Sequence, residues 1–478
     1  MIKNNMRFMT SFVISIMIII LCFPPIFSSI GSCMIGDDSP ILYVGGSGEG
    51  NYSSIEDAIN AASDGYTVYV NSGMYNENIV IDKSIDLIGK DKENTFIDGG
   101  KLGDVVRVTT DYVNISGFTV KNSKVNLDNI SNIYAGIYVE ASYVNVKYCD
   151  IMDCLIGILL INTSYSDVSN CEISNNLGGI NYYNSSYNNQ ISNCRVVFNK
   201  PRFGVSLQKS NNNTIFNNNI SFNVANGLAM SESSDNTINR VIFWGNNGSG
   251  VSVFRTLVNP CRNNKFFENN FVENNVGYNK LWNAFDNCAN ESWDNGILGN
   301  YWSNFDESNE GAWDNNTDDI VDVPYIVPSV GNIDNYPLIS PVEIVTEDQT
   351  MKKITININN PLNNSTIKGI VTLEGDASCL DGVIETVKIK IDKDGVLQTA
   401  DGISTWQMEV DTSQYDNGEH RIYVYAYTEE GDYSMKQVTV KIENPSYDKD
   451  GGVPGFEFLL VIISFLIAIL VFRSRYRF

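Results

Sequence analysis

Between Gly136 and Val253 apolar and polar positions alternate in short bursts that return about every 22 to 25 residues. Each burst opens on a glycine (Gly136, Gly157, Gly179, Gly204, Gly227, Gly250) and places Ile137/Val139, Ile158/Leu160 or Val205/Leu207 on one face. Tyr138, Leu159 and Ser206 fall on the other face, the period-two pattern of a strand. About ten residues later a second short strand follows: Val146–Ile151, Val168–Ile173, Ile191–Val196, Ile215–Ile220 and Ile238–Phe243. A unit this short cannot bury its apolar face alone, so copies must stack. Turns rich in Gly, Asn and Ser, with no helical period between them, predict a right-handed parallel β-helix over 41–341. Roughly 12 coils at about 4.8 Å each would make a rod of about 60 Å.

Aligned second strands put Cys149, Cys171, Cys194 and Asn218 in one inward corner column. Asn there can hydrogen-bond its copies above and below, and Cys can fill the slot as a small apolar residue. Buried free thiols or one bridge within the trio both suit that column. The outward neighbours Asp150, Glu172 and Arg195 should form a row on three successive coils, beside a basic loop carrying Lys200 and Arg202. Such a row is either a solubilising charge ladder or, with Lys200 as base, a general acid/base site on a sugar acid.

Ahead of the repeats, Ser53 is expected to cap a short helix whose Ile55, Ala58, Ile59 and Ala62 plug the open first coil. After the repeats, Trp282, Trp293, Trp302 and Trp313 crowd together, as a cover for the last coil or as sugar-stacking platforms. In the acidic stretch that follows, Asp314, Asn316, Asp318 and Asp322 alternate as oxygen ligands of calcium would. Asp319 stands where a calcium loop wants its glycine, and Tyr325 where it wants its acid, so an acidic turn is the competing reading.

Beyond Pro341 the period ends and longer alternating strands begin: Ile354–Ile358, Ile370–Glu374, Thr386–Ile391, Thr405–Val410, Arg421–Tyr427 and Gln437–Ile442. They predict a β-sandwich over 352–444 with Trp406 in its core, and 445–452 as a polar linker. Both ends carry membrane signals. Lys3 and Arg7 precede an apolar run from Phe8 to Phe23, giving a secretory leader over 1–32. Residues 458–472 are apolar and are followed by Arg473, Arg475 and Arg477, which would stay cytoplasmic. The expected fold class is all-β: a parallel β-helix, an immunoglobulin-like sandwich and a C-terminal transmembrane segment.

Net charge is −24 with a pI near 4.4, which argues against nucleic acid and for a solvated surface. Sequons at Asn114, Asn162, Asn212, Asn247 and Asn364 suit a glycosylated exterior protein.

Four resemblances add to this reading. Residues 58–89 resemble the start of secreted β-helix proteins, pectin methylesterases among them, but no later segment supplies an esterase's acid and nucleophile. The stretch from Gly299 to Phe305, Asp318 to Tyr325 and Asn332 to Leu338 resembles the closing segment of NosD-like β-helix proteins. That family is named for a periplasmic accessory protein of a copper site, and one His is a poor supply of copper ligands here. The sandwich resembles immunoglobulin-like modules of prokaryotic surface proteins. Pro454, Gly455 and Phe456 ahead of the apolar run resemble the PGF-type sorting signal of archaeal surface proteins, placing motif, span and basic tail in 453–478. In that family the tail is cleaved and replaced by lipid.

Together these imply a surface-anchored, extracellular protein. The first reading is a non-catalytic binder of carbohydrate or envelope components. The alternatives are a polysaccharide lyase, hydrolase or epimerase acting on the outer face, and a metal-related accessory protein.

Overall fold

The computed structural model describes residues 40–125, 133–275, 282–344, 354–379, 383–392, 395–428 and 433–444, in two compact units that divide at residue 344. The leader, the apolar run at 458–472 and the sorting motif lie outside the described residues. Among the described residues no helix is long and apolar enough to cross a membrane.

The first unit is a stack of three parallel sheets with ten, nine and ten strands. One inward column shows the register: Val146, Val168, Ile191, Ile215 and Ile238 pair coil to coil, and all are buried. The sheets hold ten strands where the even period predicts about twelve coils. Partners lie only 19 residues apart at Val68–Leu87 but 31 apart at Ile115–Val146, so coil length is less even than in the middle repeats. The closing segment supplies the last rung of one sheet, Tyr301–Trp302 parallel to the strand at 270–272, and then leaves the repeat as Tyr325–Ile326 and Ile333–Asp334 pair antiparallel.

The helix Ile55–Ala61 covers the first coil with Ile55, Ala58 and Ile59 buried. Its N-cap is Ser54, one residue later than expected, because Ser54 Oγ accepts from the Asp57 N–H at 3.2 Å. Glu77, from the coil below, accepts from the N–H groups of Ile55 and Glu56 and from Ser54 Oγ. A carboxylate thus satisfies the helix's first free donors, where the helix dipole favours it.

Inward Ile137, Val139, Ile158, Leu160, Val205 and Leu207 are buried as the alternation requires. Leu159 faces outward and is buried too, packed with Ala135, Leu155 and Ile156 in a small cluster outside the main core.

The corners carry three hydrogen-bonded ladders. At the first, the backbone N–H of Asn189 donates to Asn213 Oδ1 at 3.0 Å, then Asn213 to Asn236 at 2.8 Å and Asn236 to Asn264 at 2.9 Å. At the second, Asn176, Asn199, Asn223, Asn246, Asn274 and Asn283 repeat the pattern. The third is the column foreseen from sequence. Cys194 donates to Asn218, and further down Val241 donates to Asn269 and Asn269 to Asn300. Outside this column sits a residue in the left-handed region, which Asn170, Asn193 and Asn217 adopt at φ 54, 54 and 58°, and which asparagine tolerates. The ladder members are all buried, so each ladder bond satisfies a donor that would otherwise cost about 1–3 kcal/mol.

Cys149, Cys171 and Cys194 are free, buried thiols, each donating to the carbonyl two residues earlier at 3.2–3.3 Å. Asn218 makes the same bond through its amide, so cysteine here stands in for the donor half of asparagine. Burial pushes the Cys149 and Cys171 thiols well up.

Two ladders end on acids. Asn264 N–H meets Glu291 at 2.7 Å, while Asn300 donates its N–H and its amide to Asp334 Oδ2. Asp334 also accepts from Trp302 Nε1 and Tyr336 N–H. Burial lifts both carboxyls to about 7 against these donors. Trp293 and Trp302 are fully buried and stack on Phe266 and Phe271, closing the core with aromatic rings. Trp282 and Trp313 remain at the surface.

The second unit is a β-sandwich of a four-stranded and a five-stranded sheet. Its six longer strands lie where the alternation predicts them, and Trp406 is buried between the sheets among Leu373, Val387 and Val424.

Candidate functional site

The charged row forms as the repeat dictates. Asp150 pairs in register with Glu172, and Glu172 with Arg195, on the outer face of the ten-stranded sheet that holds strands 150–152, 172–174 and 195–197. Its charges are spent on one another. Arg195 Nη1 lies 2.9 Å from Glu172 Oε1, and Lys92 Nζ lies 3.0 Å from Asp150 Oδ1. Lys92 went unnoticed in the sequence because it comes from a turn 58 residues earlier. Burial raises the Asp150 carboxyl above its usual value, Lys92 opposes this, and Glu172 adds to it.

Lys200 lies on the neighbouring turn, exposed. Its backbone N–H bonds Asn176, and among the described residues its side chain makes no hydrogen bond or ion pair with the row. Arg202 lays its stem over Gly178. The structure therefore brings Asp150, Glu172 and Arg195 together and leaves Lys200 apart.

The acidic loop closes on itself. Asp314 accepts from the N–H groups of Thr317, Asp318 and Asp319, while Asp322 accepts from Asn315. Asn316 and Asp318 bond each other. Oxygens that calcium would gather accept from the loop's own donors in this structure. Among the described residues no three His, Cys, Asp or Glu side chains are gathered as a metal requires.

A different site emerges at the lower end of the nine-stranded sheet, near strands 251–254 and 284–286. A cavity of about 420 Å³ is lined by Asn226, Ser249, Ser252, Phe254, Asn275, Trp282 and Phe285. The Trp282 and Phe285 rings stack at 5.9 Å, and Phe285 lies 6.4 Å from Phe254. Trp282 and Phe254 are each 36% exposed, whereas Ser252 on the same sheet face is buried. Asn226 accepts from the Ser249 N–H at 2.9 Å, which leaves its amide nitrogen as a donor. Asn275 is fixed through its own N–H by the carbonyls of Asn246 and Gly248. Among the described residues, no ionisable group lines the cavity.

The register explains the cleft. Going down the sheet, Ser206, Ala229 and Ser252 share one outward column and Gln208 and Ser231 the next. Both columns then switch from small or polar to aromatic, at Phe285 and Phe254. That switch is the signal the sequence offered, hidden by the long spacing between Ser252 and Phe285.

Two overlapping stretches, 92–229 and 135–309, match the family described as right-handed β-helix region, and 355–424 match that described as bacterial Ig domain. The chain is a right-handed β-helix followed by an immunoglobulin-like domain. No curated protein matches it. Among solved structures, this β-helix is similar to the A-module of a mannuronan C-5 epimerase from Azotobacter vinelandii, at 17% identity. That match covers 51% of this chain and 81% of the other, with a TM-score of 0.39. A pectate lyase is 17% identical over 54% of this chain and 80% of its own, at TM-score 0.41. An alginate lyase from a Paenibacillus strain is 16% identical over 52% and 95%, at TM-score 0.39. Likeness at this level is one of fold.

Proposed function

We propose that this β-helix protein binds carbohydrate at the cell exterior without transforming it, held to the membrane by its C-terminal segment. The observation that carries the reading is the cleft at Trp282, Phe285 and Phe254. Aromatic faces stack on the apolar faces of sugar rings, and the short amides and hydroxyls of Asn226, Ser249 and Asn275 match ring hydroxyls. The charged row favours the same side of the argument, since its carboxylates are already held by Lys92 and Arg195. Leader, sorting motif and sequons support display outside the cell.

The test is affinity electrophoresis and a glycan array with the full-length protein and Trp282→Ala. Retarded migration in at least one polysaccharide, lost in the variant, is expected. Unchanged retardation in Trp282→Ala would take the cleft out of the function.

An enzymatic reading keeps one observation in its favour, the raised Asp150 carboxyl stacked on Glu172. Turnover of a polysaccharide that stops in both Asp150→Asn and Glu172→Gln would install it in place of the binder.

A further inference from the structure

We infer that Tyr112, Tyr143 and Tyr165 form a site of oxidative tyrosine coupling, where a carbon–carbon bond between neighbouring rings ties one coil to the next. The site shares no residue with the aromatic cleft and does not depend on what the cleft binds.

The register places the rings. Each stands two residues ahead of a strand in the ten-stranded sheet that holds 114–116, 145–147 and 167–169. The following coils carry Asn188, Asn212, Asp235 and Asn263 in the same slot, two residues before Gln190, Thr214, Thr237 and Lys265. All seven residues adopt the left-handed region, the tyrosines at φ 62, 57 and 53°. Asparagine and aspartate tolerate that conformation, whereas a bulky ring is an outlier in it. Backbone strain of this kind collects at functional positions. Where the slot passes to Asn188, Tyr187 supplies a fourth ring from the position before it.

The ring geometry suits coupling. Tyr112 and Tyr143 lie face to face at 4.8 Å between centroids and 8° between planes, and Tyr143 and Tyr165 at 5.2 Å and 8°. Tyr187 meets Tyr165 edge-on at 6.1 Å and 73°, so the parallel stack is the upper three. These three rings are 63, 40 and 51% exposed, open to a small oxidant and with room to turn. Burial therefore does not account for them as it does for Phe243 stacked on Phe271 inside the core. Partners held in contact react as a unimolecular pair rather than by chance collision.

The co-reactant is an oxidant of the peroxide class. Each phenol gives up one electron and one proton, and hydrogen peroxide takes up two of each to become two molecules of water. The two phenoxyl radicals join at ring carbons beside the oxygens, forming the carbon–carbon bond. The hydrogens on those carbons then move to the oxygens, restoring both phenols. Tyr143 is the shared member, bonding upward to Tyr112 or downward to Tyr165.

Treatment of the purified full-length protein with hydrogen peroxide and a haem peroxidase tests this, read by dityrosine fluorescence and by mass spectrometry of tryptic peptides. Tyr112 is the sole tyrosine of peptide 108–121, and Tyr143 falls in peptide 125–147. Monomer in which these two peptides are joined, with the loss of two hydrogens, is expected. Tyr143→Phe keeps the ring and removes the phenol, so the joined peptide should vanish while Tm stays that of the parent. Tyr112→Phe should remove the same peptide and leave coupling between Tyr143 and Tyr165, whereas Tyr187→Phe should change neither. A joined peptide that persists in Tyr143→Phe, tyrosine links found only between molecules, or oxidised protein with no link in the stack would each overturn the coupling site.

Discussion

The charged row and the aromatic cleft sit on two outer faces of one stack and are built in opposite ways. The row gathers four ionisable side chains and pairs them off, Lys92 with Asp150 and Arg195 with Glu172. The cleft, among the described residues, gathers none and keeps two aromatic rings partly open to water. Charges that neutralise one another hold a surface in register, while exposed apolar area is what a ligand can cover. Conspicuous residues are therefore a poor guide to which face is used.

The comparison breaks most completely if inward and outward positions have been confused. Ile173→Asp, directly beneath the row, would bury an unpaired charge and cost several kcal/mol, enough to prevent secretion of folded protein. Glu172→Gln next to it should leave folding intact. Equal loss of soluble protein in both would show that the row does not face outward.

A step smaller is Asp334→Asn. Every group around Asp334 donates, so an amide would set one N–H against another and cost about 1–3 kcal/mol in chemical denaturation. The affinity loss in Trp282→Ala should come with a change in stability below about 0.5 kcal/mol, as befits an open surface ring. A large drop in Tm would make Trp282 part of the core closure with Trp293 and Trp302.

The two faces should also differ in pH response. Glycan binding should be flat between about pH 5 and 8, where nothing in the cleft titrates. Asp150 has a folded pKa raised above its unfolded value, so it favours the fold at low pH. That contribution is lost as pH rises through its folded pKa. Because an amide mimics the protonated carboxyl, the Tm values of the parent and Asp150→Asn should lie close at low pH and diverge, with the parent the less stable, as pH rises through that folded pKa. A bell-shaped pH profile of binding would return attention to the row. Smallest of all, Arg195→Ala should cost about 0.2–1 kcal/mol, because its pair with Glu172 is partly solvated, and should not touch binding.

Much of this architecture was legible in sequence because a repeat writes each structural role several times. The inward and outward alternation, the column of Cys149, Cys171, Cys194 and Asn218, and the stacking of Asp150 on Glu172 and Arg195 all follow from spacing. The other two ladders did not stand out. Asn189 and Asn199 look like any asparagine in a chain full of them, and only three-dimensional register separates ladder members from turn residues. The cleft was only partly legible. Its residues run from Asn226 to Phe285, over several strands, and of them Trp282 alone, as one of four clustered tryptophans, has chemistry that draws the eye when read alone. Even coil length was misjudged, because the regular middle repeats were extended over flanking coils of 19 to 31 residues.

The asparagine ladders have a direction, and direction makes them resemble a growing polymer. Each unit passes its donors to the acceptor of the next, so the free end always has a hydrogen waiting for an oxygen. Another asparagine prolongs the chain, whereas a carboxylate, with acceptors but no donors, terminates it. Glu291 and Asp334 are such terminators. Whole coils can then be duplicated or deleted upstream without disturbing the chemistry of the ends, which is how a stack of this kind can change length. A deletion reaching into 291–334 would leave a living end, ready to add the next strand it meets from another molecule.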